Sequence, residues 1–338
     1  MQGDKKAALV NDQPEPELRP DYLLVEVKAV ALNPTDWKHI DWLNTPGSII
    51  GCDFAGVVLE VGPDCIRSFT KGDRVCGFVH GGNSRVKDAG GFAEKIRARS
   101  GVTMNIPDGM SFEEASTMGV AIMTCGQGLY QQMQLATPIN PTKDGEFLFV
   151  YGGSSAMGTM GIRLGQLSGY RVITVCSPNN FDLVKSYGAE ATFNYKDPDA
   201  VEQIKEYTNN NLKLIWDTIA LDSTAKFCAQ ILAKGGQYGK ILNVDMPDRP
   251  DVKQTYSLGY TSVGEPFEIR GKEFKEEEVK PDYEFMQKWM PIGEQLLAEK
   301  KLKAHPMKVG KGFENILEAE DLLRHDKVSG QKMVFSVA

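Results

Sequence analysis

A short apolar run, a turn of small residues and a helical pattern follow one another in the middle of the chain. Phe147–Val150 are apolar, residues 151–155 are rich in glycine and serine, and small or apolar residues then recur every three or four positions up to Leu167. Arg171–Cys176 is typical of a second buried strand. The pattern predicts a strand–helix–strand unit with parallel strands. Because the first amides of such a helix bind anions, we expect a dinucleotide pyrophosphate at Ser154, Ser155, Ala156 and Met157.

The glycines of this turn depart from the usual dinucleotide-binding spacing. Gly152, Gly153 and Gly158 are present, but Ser155 and Ala156 stand where glycine often occurs. A tight turn that binds nothing is therefore an alternative at this point. The paired serines favour phosphate binding, because their hydroxyls can donate to phosphate oxygens.

Composition limits the kind of protein and its compartment. A chain of 338 residues predicts two domains, and 41% hydrophobic with 25% charged residues is typical of a soluble globular protein. No apolar stretch is long enough to span a bilayer and no signal-peptide pattern is present, so we expect a cytoplasmic location. The six cysteines are scattered without a CxxC pair, which predicts reduced thiols, and the net charge of -7 argues against nucleic acid as the main partner.

The first third of the chain alternates strand-like runs with loops. Ala7–Val10 and Tyr22–Val30 are predicted strands, and the proline of the segment 33–38 predicts a helix entry with Thr35 or Asp36 as its cap. Lys38 would then lie in the first turn of that helix. It is either a solvated surface lysine or a functional cation.

Glycines at short intervals among β-branched residues mark the segments 49–62 and 71–75. Such spacing predicts a tightly turned β-barrel. With the later strand–helix–strand unit, these segments resemble the medium-chain dehydrogenase/reductase superfamily over nearly the whole chain. The resemblance implies an α/β protein with a GroES-like β-barrel catalytic domain at 1–125, completed by 300–338. A doubly wound Rossmann domain would occupy 126–299.

The positions of the family's zinc ligands predict a zinc-free member. Asn33 and Cys52 stand where zinc-dependent relatives carry Cys and His, and residues 80–84 replace the four cysteines of the structural zinc lobe. A catalytic zinc needs three protein ligands, which one isolated cysteine does not supply. We therefore expect no metal.

The end of the second Rossmann strand favours NADP(H) over NAD. Ser177 and Asn180 are neutral donors, whereas NAD-specific proteins usually carry an acidic residue there. No Arg or Lys occupies this stretch. The resemblance further implies cofactor contacts from Thr35, Asp36, Lys38, Tyr195, Leu242, Asn243, Gly330 and Gln331. The alternative for Tyr195 is an aromatic residue at a strand end without a cofactor contact. Residues 241–244 are predicted to form another strand end.

The segment 111–130 begins with the capping-box pattern Ser111-x-x-Glu114 and predicts a helix. Thr124 in this segment is either a donor to a nicotinamide or to a substrate carbonyl, or a helix-packing residue. A second amphipathic helix is predicted over 283–300, and the chain ends in a strand that returns to the barrel. Four prolines and a charged run in 245–281 predict a protected sheet edge, and hence a monomer.

Without a metal to stabilise an alkoxide, the expected substrate is an activated alkene. Hydride adds to the β-carbon, and donors near the carbonyl oxygen stabilise the enolate. Lys38 and Thr124 are the predicted catalytic donors, with water or Lys38 supplying the α-proton.

Within the superfamily the chain is most similar to the fungal trans-acting enoyl reductases of iterative polyketide synthases. The Cys176-Ser177-Pro178-x-Asn180-Phe181 run is particular to that group. The resemblance implies NADPH-dependent reduction of an α,β-unsaturated thioester on the acyl carrier domain of a partner synthase. Two alternatives remain: an NADPH-dependent quinone or small-enone reductase acting on free substrates, and an NADPH-binding protein without turnover.

Overall fold

The structure is a computed structural model, and it describes residues 1–43 and 45–337. Its strands, in chain order, are β1 Tyr22–Ala31, β2 Asp53–Val61, β3 Arg74–Phe78, β4 Lys95–Arg99, β5 Thr103–Asn105, β6 Phe147–Tyr151, β7 Arg171–Val175, β8 Ala191–Phe193, β9 Leu214–Asp217, β10 Gln237–Lys240, β11 Lys253–Tyr256, β12 Phe267–Ile269, β13 Lys272–Phe274, β14 Met307–Lys311 and β15 Lys332–Ser336. Its α-helices are α1 Pro34–Lys38, α2 Phe112–Ser116, α3 Gly119–Cys125, α4 Ala156–Leu167, α5 Phe181–Ser186, α6 Ala200–Tyr207, α7 Asp222–Ile231, α8 Glu276–Ala298 and α9 Ile316–Arg324.

The chain divides into two compact units, a first of Met1–Met123 with Gly259–Ala338 and a second of Thr124–Leu258. The first unit contains a seven-stranded sheet in the order β14-β15-β1-β2-β3-β5, with β4 also paired to β1. Gly56 of β2 approaches β1 so closely that a Cβ there would lie 2.2 Å from the Glu26 carbonyl oxygen. This confirms the glycine-dependent barrel expected from the segment 49–62.

The second unit is a parallel sheet of six strands in the order β11-β10-β9-β6-β7-β8. This is the doubly wound Rossmann order, in which the chain reverses direction across the sheet next to its first strand. Phe149, Ile173 and Ile215 lie on neighbouring strands and are fully buried. The predicted unit of β6, α4 and β7 is confirmed.

The boundary between the two units differs from the sequence expectation of 126–299 for the Rossmann domain. Residues 259–299, including α8, belong to the first unit. The indole of Trp289 donates to the carbonyl of Ile122 at 2.9 Å, and the hydroxyl of Tyr283 donates to Asp21 at 2.7 Å. These contacts lie far apart in the sequence, so no local pattern indicated them.

Several element predictions also need correction. No strand forms at Ala7–Val10, and the strand expected at 241–244 ends earlier, at Lys240. The helix expected from 283 begins at Glu276 and contains Pro281 and Pro291. The charged run of 272–278 forms β13 and the first turn of α8 in the first unit, whereas the outer strand β11 belongs to the second. That run is therefore not part of the Rossmann sheet.

The capping-box prediction is confirmed at α2, where Ser111 and Glu114 exchange hydrogen bonds at 2.9 and 3.1 Å. The cap of α1 is Asn33 rather than Thr35 or Asp36, because the Asp36 carboxylate accepts the Asn33 amide at 2.7 Å. In the described part of the chain, no helix is both long and apolar enough to cross a membrane.

Candidate active site

The turn between β6 and α4 is shaped by its glycines. Gly152 has φ +78°, in the left-handed region that favours glycine. A Cβ on Gly158 would lie 2.2 Å from the Gly152 carbonyl oxygen, and one on Gly153 would lie 2.1 Å from the Thr174 hydroxyl. Only glycine allows the helix to start this close to the strand. The first-turn amides, to which Ala156 and Met157 contribute, lack intrahelical acceptors and point towards a ligand in this type of turn.

Ser155 acts as the cap of α4. Its hydroxyl accepts the Gly158 amide at 2.9 Å and lies 3.2 Å from the Thr218 hydroxyl, which itself donates to the Tyr151 carbonyl. Donation from Ser155 to a phosphate would therefore require its contact with Thr218 to break. Ser154 precedes the cap and is half-buried.

Three other predicted cofactor residues of the second unit follow the neighbouring strands β7 and β8 at their carboxyl ends. Ser177 and Asn180 follow β7, and the Asn180 amide donates to the Ser177 carbonyl at 2.9 Å. Tyr195 follows β8 and is 39% exposed, with its ring 6.5 Å from that of Tyr151. The Nζ atom of Lys196 lies 5.7 Å from the Tyr195 ring centre.

Leu242 and Asn243 follow β10, at the same edge of the sheet. Leu242 is half-buried and Asn243 is exposed. The structure therefore brings all predicted cofactor residues of the second unit to one edge of the parallel sheet, where doubly wound proteins bind their ligands.

A buried polar network lies at the base of α1 in the first unit. Lys332 donates to the Asn33 side-chain oxygen at 2.8 Å and to the Asp53 carboxylate at 2.6 Å. Asp53 also accepts the Asn33 side-chain amide at 2.9 Å and the Val120 backbone amide at 2.7 Å. Gly330 and Gln331, predicted to touch the cofactor, immediately precede Lys332. The network thus joins their loop to the start of the helix that carries Thr35 and Lys38.

Thr35 belongs to a chain of hydroxyl and imidazole groups. Its hydroxyl is hydrogen-bonded to the hydroxyl of Tyr260, which lies 2.8 Å from the Nε2 atom of His39. The ring of His80 stacks on Tyr260 with 4.3 Å between ring centres. Burial lowers the pKa of His39 to about 4, so its imidazole is neutral at pH 7.

Asp36 is fully buried and does not present its side chain to solvent. Burial raises the pKa of its carboxyl to about 7, although the bond from the Asn33 amide opposes this shift. Burial also raises the pKa of Glu320 well above its ordinary value, and the Asp36 charge adds to the shift. The side chain of Asp36 therefore caps the start of α1 from the protein interior.

Lys38 ends α1 among aromatic rings. Its Nζ atom lies 5.6 Å from the ring centre of Trp37 and 5.4 Å from that of Trp42. Burial lowers the pKa of Lys38, Asp326 opposes this shift and Arg270 adds to it. Thr124 lies in α3 with 9% of its surface exposed and belongs to the second unit. The pairing of Lys38 with Thr124 stays a prediction.

Among the described residues, no group of three or more His, Cys, Asp or Glu side chains could hold a metal ion. The residues that stand in place of zinc ligands are engaged otherwise. Asn33 takes part in the lysine network, and burial raises the pKa of Cys52 well above its ordinary value. A buried neutral thiol is a poor metal ligand.

Sequence reasoning missed Lys332, Tyr260, His39 and Lys196. A lysine at the start of the apolar strand Met333–Phe335 was a usable signal, because a buried lysine needs a partner. Tyr260 and His39 carried none, because the two residues that meet are 221 positions apart. Lys196 directly follows the predicted Tyr195, so its position in the sequence was a usable signal.

Comparisons with known proteins agree with this architecture. The family model of the alcohol dehydrogenase GroES-like domain matches residues 19–108, and that of the zinc-binding dehydrogenase matches 156–261. An alcohol dehydrogenase superfamily protein from Novosphingobium aromaticivorans shares the fold with a TM-score of 0.83 at 18% identity, over 100% of this chain and 98% of that one. The fold is that of a medium-chain dehydrogenase/reductase.

Two curated relatives narrow the class. The chain is 43% identical to the trans-enoyl reductase resD of Aspergillus sclerotiorum, over 98% of this chain and 97% of that protein. It is 48% identical to the trans-enoyl reductase TOXD of Cochliobolus carbonum, over 78% of this chain and 88% of that protein. The chain belongs to the trans-enoyl reductase family and is an oxidoreductase, which confirms the resemblance found in the sequence.

Proposed function

We propose that this protein is an NADPH-dependent enoyl reductase that acts in trans on an α,β-unsaturated thioester carried by the acyl carrier domain of a partner polyketide synthase. The observation that carries the proposal is the full-length similarity to resD, a named trans-enoyl reductase. That similarity spans both the helix that ends in Lys38 and the glycine turn before α4.

The second unit fits a dinucleotide. The cradle formed by Gly152, Gly153 and Gly158 would be filled by any Cβ, and an open helix start faces it. We expect the pyrophosphate to be held at Ser154–Met157. In the first unit, the side chains of the predicted cofactor residues Thr35 and Lys38 are half-buried, whereas Asp36 is fully buried.

NADPH is the proposed dinucleotide. No acidic side chain follows β7 at 177–180, and Lys196 after the adjacent strand β8 supplies a cation at the same edge. A lysine attracts the 2′-phosphate that distinguishes NADPH from NADH. Replacing Lys196 by Gln is expected to raise KM for NADPH and leave KM for NADH unchanged. An equal effect on both cofactors would contradict this assignment.

The bound dihydronicotinamide supplies a hydride to the β-carbon of the thioester. The protein must then stabilise the enolate that forms as the C=C electrons move to the carbonyl oxygen. We assign Lys38 and Thr124 as donors to that oxygen. A proton from Lys38 or water completes the reduction at the α-carbon.

The deciding experiment measures NADPH oxidation with a crotonyl pantetheine thioester, with a quinone and with buffer alone. Turnover of the thioester well above that of the quinone supports the proposal. Preferential quinone turnover would favour a reductase of free substrates. NADPH binding without turnover of either would favour a binding protein.

Lys38 is tested by replacing it with Ala, beside Lys71→Ala as a control at an exposed turn. We expect Lys38→Ala to lower kcat with the thioester at least tenfold, whereas Lys71→Ala retains wild-type kinetics. If Lys38→Ala leaves both turnover and NADPH binding intact, the assignment is wrong.

A monomeric state and a cytoplasmic location are part of the same proposal. The outer strand β11 has four residues and follows Pro247 and Pro250, so it offers little edge for pairing with a second copy. Light scattering after size-exclusion chromatography measures the mass directly, and a dimer mass would refute the monomer.

A further inference from the structure

Two cations and two indole rings form a cluster on the first unit. Its members are Trp37, Lys38, Trp42 and Arg270, which we call the tryptophan–cation cluster. The indoles of Trp37 and Trp42 meet edge to face at 5.8 Å. The guanidinium of Arg270 lies 5.0 Å from the Trp42 ring centre, and Lys38 lies 5.4 Å from the same ring. The ring of Trp42 therefore contacts both cations.

The charge of this cluster is not neutralised within the described residues. Neither Lys38 nor Arg270 has a carboxylate within 4.0 Å of its nitrogen atoms there. The two cations repel each other, since Arg270 contributes to the lowered pKa of Lys38. Asp326 is the nearby carboxylate that favours the charged lysine. A pair of like charges held together in this way attracts an anion.

Arg270 stands at the tip of a hairpin. Strands β12 and β13 pair with Ile269 opposite Lys272, which leaves Arg270 and Gly271 as a two-residue turn. The base of the hairpin is held by Phe267, which is fully buried and stacks on Phe274 at 4.6 Å. The arginine is thus exposed on a support that does not depend on its side chain.

The backbone of Arg270 is unfavourable for an arginine. Its φ is +52°, in the left-handed region, where two-residue hairpin turns prefer Asn or Gly. Local backbone preference therefore does not explain an arginine at this position. Its side chain, directed to Trp42 beside Lys38, gives the position a chemical use.

We propose that Arg270 binds the phosphate, and Trp42 the apolar part, of the phosphopantetheine arm through which an acyl carrier domain presents its enoyl thioester. The inference rests on the proposed function and adds the group that the enzyme recognises in its partner. Arginine pairs with phosphate through two parallel N–H bonds, and an exposed indole packs against the apolar arm. Trp42 is 48% exposed, so it is available for that contact.

The position of Lys38 gives the arm a direction. An arm anchored at Arg270 passes Trp42 and reaches the end of α1, where Lys38 is the proposed donor to the thioester carbonyl. The other charges on the hairpin are Glu268, Lys272 and Glu273. Glu273 is neutralised by Arg85 at 2.6 Å. The cation at the hairpin tip therefore favours the docking of an anionic group.

The test compares two substrates that differ only in the phosphate, crotonyl pantetheine and crotonyl 4′-phosphopantetheine. We expect the wild type to reduce the phosphorylated thioester with at least tenfold higher kcat/KM. Arg270→Gln should bring this ratio close to one. Arg85→Gln is the matched control. It removes an exposed cation that is already paired with Glu273 of the same hairpin. It should preserve the ratio.

A second variant protects the test against misfolding. Arg270→Asn removes the same charge and suits the left-handed backbone, so it should lose the preference with a hairpin that is at least as stable. A preference unchanged in both Arg270 variants, or absent from the wild type, overturns the inference.

Activity with crotonyl-CoA and with a crotonyl-loaded carrier domain separates the sources of the phosphate. A lower kcat/KM of Arg270→Gln with the loaded carrier domain supports the inference. A lower kcat/KM with crotonyl-CoA alone overturns it. If the wild type reduces neither thioester, the proposed function fails. Calorimetric binding of 4′-phosphopantetheine to the wild type and to Arg270→Gln then decides the phosphate site by itself.

Discussion

Replacing Lys332 by Met is expected to destabilise the first unit severely. The substitution keeps most of the side-chain volume but leaves the Asp53 carboxylate, which is fully buried, without its cation. Removing one partner of a buried ion pair costs about 3–5 kcal/mol. For a domain of this size, that cost corresponds to a fall in Tm on the order of 10 °C.

A matched control separates the buried charge from the loss of any ion pair in the barrel. The side chain of Arg97 is as buried as that of Lys332, with 4% exposed in each, but its partner Asp88 is 35% exposed. Water can solvate Asp88 after Arg97→Met, so that variant should lose only about 1–2 kcal/mol. The double variant Lys332→Met with Asp53→Asn should recover part of the loss, because neither member of the buried pair is then charged.

Tryptophan fluorescence during urea unfolding measures these differences. Three of the four tryptophans, Trp37, Trp42 and Trp289, belong to the first unit, and Trp216→Phe as a background removes the signal of the second. Because Asn33 begins α1, Lys332→Met should also lower kcat/KM with the thioester, whereas Arg97→Met should not. A loss equal to that of Arg97→Met, or no recovery in the double variant, would refute the reasoning.

Three further outcomes are expected. Asp36→Asn should stabilise the protein increasingly from pH 4 to pH 7, because the folded carboxyl, with a pKa of about 7, holds a proton that the unfolded chain has lost; a Tm difference from wild type that does not change with pH would contradict this. Gly158→Ala should weaken NADPH binding at least tenfold in fluorescence titrations, since the new Cβ would lie 2.2 Å from a backbone oxygen, whereas Gly161→Ala on the same helix meets its nearest atom at 3.1 Å and should bind normally. Arg270→Asn should raise the free energy of unfolding by up to about 1 kcal/mol in urea titrations, because Asn tolerates the left-handed turn; a loss of stability would show that the arginine contacts stabilise the fold.

The sequence alone determined the elements whose signals are local. Apolar periodicity with small-residue turns located β6, α4 and β7, and the Ser111 to Glu114 spacing located the start of α2. These features depend on residues within one or two helical turns or strands. The glycines of the barrel are also a local signal in the sequence. They are needed where two backbones approach closely, as Gly56 shows. The family resemblance followed from the order of these same local motifs.

Only the tertiary structure decided which distant residues meet. Lys332 and Asp53 are 279 positions apart, and Tyr260 and His39 are 221 apart, so neither pair leaves a local pattern. The same holds for α8, which the sequence analysis placed with the Rossmann domain and which Trp289 attaches to Ile122 in the first unit. Burial and long-range hydrogen bonds set these contacts, because their free energy depends on which groups are removed from water together. The local sequence supplies the groups, and the packed fold decides their partners.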